Sequence, residues 1–162
     1  MTEFEKVNEE TIADLSDLAS AIVKEHYDPI LGNEQNDYMI EKFQSPQAIR
    51  EQIEHGYTYY FIVSDGTRAG FFGYYPRDGK TYLSKLYVEK SFRKKHLAHD
   101  SMEFIAKETV KDGMNSIFLN VNRHNYDSIV AYESLGFKKI RKEDNPIGHG
   151  YYMNDYVMEK NL

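Results

Sequence analysis

Apolar and polar positions alternate with two different periods along the chain, and the switches between them mark its elements. From Thr11 the apolar residues Ile12, Leu15, Leu18, Ala19, Ile22 and Val23 recur at helical spacing, which predicts an amphipathic helix. Thr11 and Asp14 suit a capping box at its start. His26 to Asn36, with Pro29 and Gly32 as breakers, reads as a loop. Met39, Ile40 and Phe43 predict a short helix. Ser45-Pro46 then predicts an N-cap with Pro at the first helical position, opening a helix through Ile49 and Ile53. After Gly56 the pattern turns aromatic and β-branched. Tyr57 to Ser64, Ala69 to Tyr75 and Thr81 to Val88 read as strands, joined at Asp65-Gly66 and Asp78-Gly79 by hairpin turns. A short strand also fits residues 3–8.

The second half alternates. A helix is predicted from about Lys94 to Lys111, with Ala98, Met102, Ile105 and Thr109 facing inward. Gly113 ends it, and Ser116 to Val121 is a strand. Asn125 to Leu135 is a helix, with Asn125 as its cap, Gly136 at the left-handed position after it, and Phe137 folding back on its last turn. Phe137 to Ile140 and Tyr152 to Met158 are the final strands, and Lys142 to Gly150 the loop between them. A meander followed by a strand–helix–strand crossover implies a mixed, mostly antiparallel sheet of six or seven strands flanked by helices, an α+β layered fold.

Composition narrows the class. A length of 162 residues suits a single domain, 1–162. The chain carries 26 acidic and 20 basic residues, a net charge of −6. That balance speaks against nucleic acid or an anionic membrane as partner and weakly favours a cationic substrate. There is no cysteine, which excludes disulfides, thiolate metal sites and an acyl-cysteine intermediate. The start, Met1-Thr2-Glu3-Phe4-Glu5-Lys6, does not read as a signal peptide, and no apolar run approaches a membrane span. A cytoplasmic protein is expected. A homodimer is compatible with the sequence.

One stretch runs against the acidic balance. Lys85, Lys90, Arg93, Lys94 and Lys95 lie within Lys85 to Ala98, with Glu89 the lone acid. Three of the five fall at a predicted helix N-terminus, where the macrodipole disfavours cations by ~0.3–1 kcal/mol each. A bound phosphate would remove the conflict, because helix N-termini offer free N–H groups and nearby Arg and Lys add charge. A solvated basic patch is the plainer alternative.

Two motifs carry a family resemblance. Leu86-Tyr87-Val88, a short linker and Arg93-x-x-His96-x-Ala98 resemble the acetyl-CoA motif of the GCN5-related N-acetyltransferases, in which Arg or Gln is followed by two residues, Gly, one residue, and Gly or Ala. Asn125-Tyr126-Asp127-Ser128-Ile129-Val130-Ala131-Tyr132-Glu133-Ser134-Leu135-Gly136-Phe137 resembles the family's second motif, with Asn, the helical Tyr and the Gly-Phe ending at the family's spacing. His96 departs from the pattern, since it stands where the family has Gly.

The resemblance implies an acetyl-CoA-dependent N-acetyltransferase, with a splay between the two central parallel strands. It implies a cofactor site formed by Leu86, Tyr87, Val88, Arg93, Lys94, Lys95, His96, Leu97, Ala98 and Asn125, the pantetheine arm pairing with the backbone of Leu86 to Val88. The Val88 N–H would polarise the thioester carbonyl, and Tyr132 would protonate the departing thiolate. Asn125 has a second role as an N-cap, and Tyr132 alone would read as a core residue. Without cysteine, direct transfer to an amine is the natural mechanism.

Glu34, Asp37, Tyr38 and Asp155 are candidate contacts to the acceptor. The tail Gly148 to Lys160 looks like that of a bacterial subgroup that includes spermidine/spermine acetyltransferases, which suggests a polyamine or other small amine. A protein or peptide amine, or a non-catalytic acyl-CoA sensor, are the alternatives. His96 and His99, three apart, have no evident third ligand, so no metal is expected.

Overall fold

A computed structural model describes all residues, Met1 to Leu162. The strands are β1 (Thr2–Lys6), β2 (Thr58–Ser64), β3 (Thr67–Arg77), β4 (Lys80–Val88), β5 (Ser116–Asn122), β6 (Lys138–Gly148) and β7 (Tyr151–Asn161). The helices are α1 (Ile12–Leu31), α2 (Asn33–Gln44), α3 (Pro46–Glu54), α4 (Leu97–Lys111) and α5 (Tyr126–Ser134). The strands form one seven-stranded sheet in the order β1-β2-β3-β4-β5-β7-β6. The β4–β5 pair is parallel, and β1–β2, β2–β3, β5–β7 and β6–β7 are antiparallel. The mixed sheet expected from meander plus crossover is therefore present.

The residues cluster into two compact units, Met1–Tyr75 with Lys85–Ser101 and Pro76–Ser84 with Met102–Leu162. In the first, α1 lays Ile12, Leu15, Ala19 and Ile22 against Ile49 of α3 and against Tyr59, Phe61 and Phe71 of the sheet. These side chains are almost fully removed from water, a burial that contributes about 1.5–3 kcal/mol for each large one. Phe4, Tyr60 and Tyr74 gather around the Phe72 ring, with centroids 5.5–6.1 Å away. The abundant aromatics thus pack mainly on one another.

Two local expectations change. The capping box belongs to Asn8 and Thr11, around a short 3-10 turn ahead of α1. Asp14 instead accepts from Arg68 at 3.0 Å, beside the Arg68–Glu5 pair. The loop expected over His26 to Asn36 is mostly helix: α1 runs through Pro29 to Leu31, and Gly32, at φ +83°, makes the break. Buried Asn36 stitches the two helices, donating to the Val23 carbonyl at 3.2 Å and to Asp28 at 2.9 Å. Ser45 does cap α3, accepting from the Ala48 N–H at 3.2 Å, with Pro46 at the first position.

In the second unit the parallel ladder is short, pairing Thr81 with Ile117 and Tyr82 with Phe118. Along its other edge β5 is paired over its whole length with β7, from Ser116–Asn161 to Asn122–Asp155. The Thr81 and Thr109 hydroxyls meet at 2.7 Å and tie β4 to α4. The last hairpin is longer than expected. Lys142 to Gly148 continues β6, and the turn shrinks to His149 and Gly150, at φ +55° and +78°. β6 is an edge strand exposed on both faces, so it shows no apolar alternation, and Pro146 is tolerated there. No helix is long and apolar enough to cross a membrane.

Lys85 belongs to the first unit and points into it. Its Nζ donates to the Phe43 carbonyl at 2.7 Å, to Gln44 Oε1 at 2.9 Å and to Gln52 Oε1 at 3.2 Å, and sits 5.1 Å from the Tyr59 ring centroid. Gln52 Oε1 also accepts from the Tyr59 hydroxyl. These acceptors are all neutral, and burial lowers the Lys85 amine to about 7. Between pH 7 and the normal lysine range the unfolded chain holds a proton that the folded chain has released. Stability therefore rises with pH across that window and is independent of this group below it. Denaturant unfolding at pH 7.5 and 9.5 should show the wild type gaining roughly 2 kcal/mol relative to Lys85→Met over the interval. An equal pH dependence in both proteins would show that Lys85 is charged throughout.

Candidate functional site

The residues expected to hold the cofactor divide between the two units. Leu86, Tyr87, Val88 and Arg93 to Ala98 lie in the first, and Asn125 and Tyr132 in the second.

In the first unit β4 ends at Val88. A Cβ built on Gly70 of β3 would stand 2.2 Å from the Tyr87 carbonyl oxygen and 3.0 Å from the Val88 Cα. The Tyr87 carbonyl is thus turned onto β3. In a trans peptide the C=O and the following N–H point in opposite directions, so the Val88 N–H points away from β3. The Glu89 N–H, one residue on, donates to the Ala69 carbonyl at 2.7 Å, as the alternation of an antiparallel pair requires.

The chain then makes a 3-10 turn over Lys90–Phe92 and enters α4 at Leu97, later than expected. Arg93 is extended, at φ −69° and ψ 160°. Lys94 and His96 are left-handed, at φ +66° and +61°. The cations therefore precede the helix rather than forming its first turn. His96 does not adopt helical dihedrals; its conformation is the one glycine takes without penalty. Holding a residue with a Cβ there costs about 1–2 kcal/mol. The first helical bond runs from the Asp100 N–H to the His96 carbonyl, at 2.9 Å, and helix geometry leaves the Leu97 and Ala98 N–H groups without acceptors within α4. Left-handed residues in such a turn tip successive N–H groups into an anion-binding concavity.

Arg93 to His96 are exposed and Leu97 is buried. The Arg93 Nε donates to the Val88 carbonyl at 3.2 Å, and the Lys95 Nζ lies 5.3 Å from the Phe92 ring centroid. Lys85, counted with these cations in the sequence, is separated from them by its burial. The signal was available, because Lys85 alternates with Leu83 and Tyr87 on one face of the strand.

In the second unit Asn125 is buried and caps α5, its Oδ1 accepting from the Ser128 N–H at 3.4 Å. Tyr132, half-buried, meets the Phe137 ring edge-to-face at 5.6 Å. The Phe137 N–H closes the helix onto the Tyr132 carbonyl at 3.0 Å, across Gly136 at φ +97°. The Asn and Tyr of the motif thus sit at opposite ends of one short helix.

The acceptor candidates behave differently from one another. Glu34, Asp37 and Tyr38 lie on adjacent turns of α2, where spacings of three and four share a face. Asp37 is already paired with Lys24 at 2.9 Å. Asp155, on β7 in the second unit, is buried. Its Oδ2 accepts from the Asn120 Nδ2 at 3.2 Å, and the same Nδ2 is 3.2 Å from Glu143 Oε1. The Tyr82 hydroxyl donates to Asn120 Oδ1 at 3.0 Å. Burial pushes the Asp155 carboxyl up to about 6, while Arg141 and Asn145 hold Glu143 below the usual carboxylate range. The Tyr82–Asn120–Asp155 network was not read from the sequence, since its three members lie on three strands.

Comparison with known proteins adds the rest. No protein of curated function matches the sequence. Among solved structures, the PaiA N-acetyltransferase of Thermoplasma acidophilum, in complex with coenzyme A, is 23% identical with a TM-score of 0.82, over 100% of this chain and 99% of that one. The ribosomal-protein-S18-alanine N-acetyltransferase of Escherichia coli is 18% identical with a TM-score of 0.68, over 100% and 94%. A GNAT family acetyltransferase of Elizabethkingia anophelis with acetyl-CoA bound is 13% identical with a TM-score of 0.60, over 70% and 82%. At these identities the likeness is one of fold. The acetyltransferase (GNAT) domain family matches residues 27–160 directly, and with that match the chain belongs to the GNAT family of acetyl-CoA-dependent N-acetyltransferases.

Proposed function

We propose that the protein transfers the acetyl group of acetyl-CoA directly to a primary amine on a small molecule, a polyamine being the class its composition suits. The observation that carries the reading is the turn from Arg93 to Ala98, where left-handed residues, open helix N–H groups and three cations precede α4. These features fit the pyrophosphate of a CoA-type cofactor. Acetyl-CoA supplies an activated acyl group. The chain supplies position and electrostatics. The Val88 N–H faces away from β3 and serves as donor to the carbonyl oxygen as charge develops there. Tyr132 gives its phenolic proton to the leaving thiolate. The sequence contains no cysteine to hold the acyl group, so the amine attacks directly.

An alkylammonium must lose a proton before attack, its pKa lying near ~10. Asp155 is the residue we assign to accept that proton through water, since a carboxyl held at about 6 is closer to neutrality than an ordinary one. Glu34 and Tyr38 form the acceptor wall on α2. Asp37 contributes less, because Lys24 already neutralises it. β4 and α4 each contribute residues to both units, which supports a single working domain. A protein amine remains the second acceptor reading, favoured by the fold likeness to a ribosomal-protein acetyltransferase. A non-catalytic sensor is the third, motivated by His96.

Thiol release from acetyl-CoA with a panel of polyamines, monoamines and peptides separates these readings. Turnover with polyamines is expected, and Tyr132→Phe should lower kcat about tenfold or more with little change in CoA affinity. CoA binding without turnover on any amine would favour the sensor. For the turn, His96→Gly should raise folding stability by about 1 kcal/mol, by releasing the left-handed strain, and should tighten CoA binding as measured by calorimetry. Weaker binding would show that the imidazole contacts the cofactor. For the proton acceptor, Asp155→Asn should remove the acid limb near pH 6 from the kcat/KM profile. It should also stabilise the fold at pH 7.5, where the native carboxylate is ionised at a cost of roughly 2–3 kcal/mol. An unchanged acid limb would exclude Asp155 from proton transfer.

A further inference from the structure

Gly70 lies in the interior of a strand, eighteen positions before Val88 in the chain, and no motif includes it. A glycine costs a strand stability unless something needs the missing side chain. Here the need is explicit. The position its Cβ would take is 2.2 Å from the Tyr87 carbonyl oxygen, 3.2 Å from the Tyr87 carbonyl carbon and 3.0 Å from the Val88 Cα. All three are backbone atoms, so no rotamer change can make room. Either β4 moves away from β3 or the Tyr87–Val88 peptide rotates.

The surroundings favour rotation. The Glu89 N–H is fixed to the Ala69 carbonyl at 2.7 Å on one side of the contact. On the other, the Tyr87 ring is packed against Phe71 at 5.5 Å and is held by the core around α1. Between two such anchors the single peptide that can yield is the one joining Tyr87 to Val88. Its rotation would swing the Val88 N–H by the same angle as the carbonyl.

We infer that Gly70 is a positioning residue for catalysis: its bare backbone lets the Tyr87 carbonyl lie on β3 and so aims the Val88 N–H away from β3, toward the reacting carbonyl. The inference rests on the Val88 donor reading above. Gly73 supplies the comparison. It lies on the same strand and is equally crowded, but a Cβ there would meet the Tyr59 ring, at 2.5 Å, and no peptide of β4 is among its three nearest contacts.

The test compares Gly70→Ala, Gly73→Ala and wild type in the full-length protein, with rates expressed per folded molecule. In Gly70→Ala, kcat should fall by about tenfold to a hundredfold, at or below the ~10²–10³ lost when an oxyanion donor is removed outright, while the Kd for CoA stays within about threefold. The Val88 amide resonance should move further than those of Phe71 and Glu89. Gly73→Ala should lose stability and keep kcat.

Equal kcat losses in both variants would reduce the effect to weakening of β3 and overturn the inference. A Val88 resonance that moves no further than its neighbours would overturn it too, and leave the donor reading intact. A displaced Val88 resonance with unchanged kcat would sink the donor reading itself, and with it any part for Gly70 in catalysis. Should Gly70→Ala not fold, hydrogen exchange on the wild type decides. The Val88 amide should exchange about tenfold or more faster than the Glu89 amide without CoA, and equal protection would overturn the inference.

Discussion

β4 lies against β3 more closely than any side chain at position 70 would allow, because Gly70 leaves that volume free. Backbone atoms of Tyr87 and Val88 occupy the volume that a side chain on Gly70 would need. Aromatic packing of Tyr87 on Phe71 and the Glu89–Ala69 bond then clamp the strand on both sides of the contact. The strand's inner face is pinned a second time, at Lys85, to the carbonyl end of α2 and to α3. Side chains from three helices therefore serve to hold one stretch of main chain still. The oxyanion donor proposed at Val88 needs such fixity, since a dipole that must reorient during the reaction gives up most of its benefit.

The turn that follows works differently. It stores conformational strain in Lys94 and His96, at left-handed φ, and leaves helix donors open beyond it. Under the proposed function, a cofactor phosphate is the partner for those donors. Rigid strand and strained turn are joined directly, with the Arg93 guanidinium bonded back to the Val88 carbonyl at 3.2 Å. Arg93, which opens the turn, thus also braces the peptide that follows Val88.

Much of this was legible in the chain. The α1 stripe, the Asp-Gly turns, the Ser45-Pro46 start of α3 and the helix between Asn125 and Leu135 all follow from local chemistry, and the structure has them where spacing put them. What was not legible depended on tertiary context. Pro29 looked like a breaker, yet α1 tolerates it in the last turn and Gly32 does the breaking. The strand expected at Phe137 to Ile140 is the start of β6, and its continuation through Lys142 to Gly148 escaped notice because a mostly exposed edge strand has no period to read. Lys85 groups with its neighbours by charge, although the strand face it shares with Leu83 and Tyr87 carries a signal of burial. The Asp155 network joins residues from distant strands. Gly70 did carry a signal, a glycine inside an aromatic strand, but what approaches it is set by pairing with a segment far along the chain.

The exposed edge of β6 has one more consequence. An uncovered eleven-residue strand is a template on which other chains can pair and aggregate. This one carries Lys138, Lys139, Arg141 and Lys142 in its first half, a register break between Lys139 and Arg141, and Pro146 toward its far end. Like charges repel an incoming strand, the break interrupts its ladder, and the proline withholds a donor. The register break and the proline make this edge a poor seam for continuous pairing with another strand.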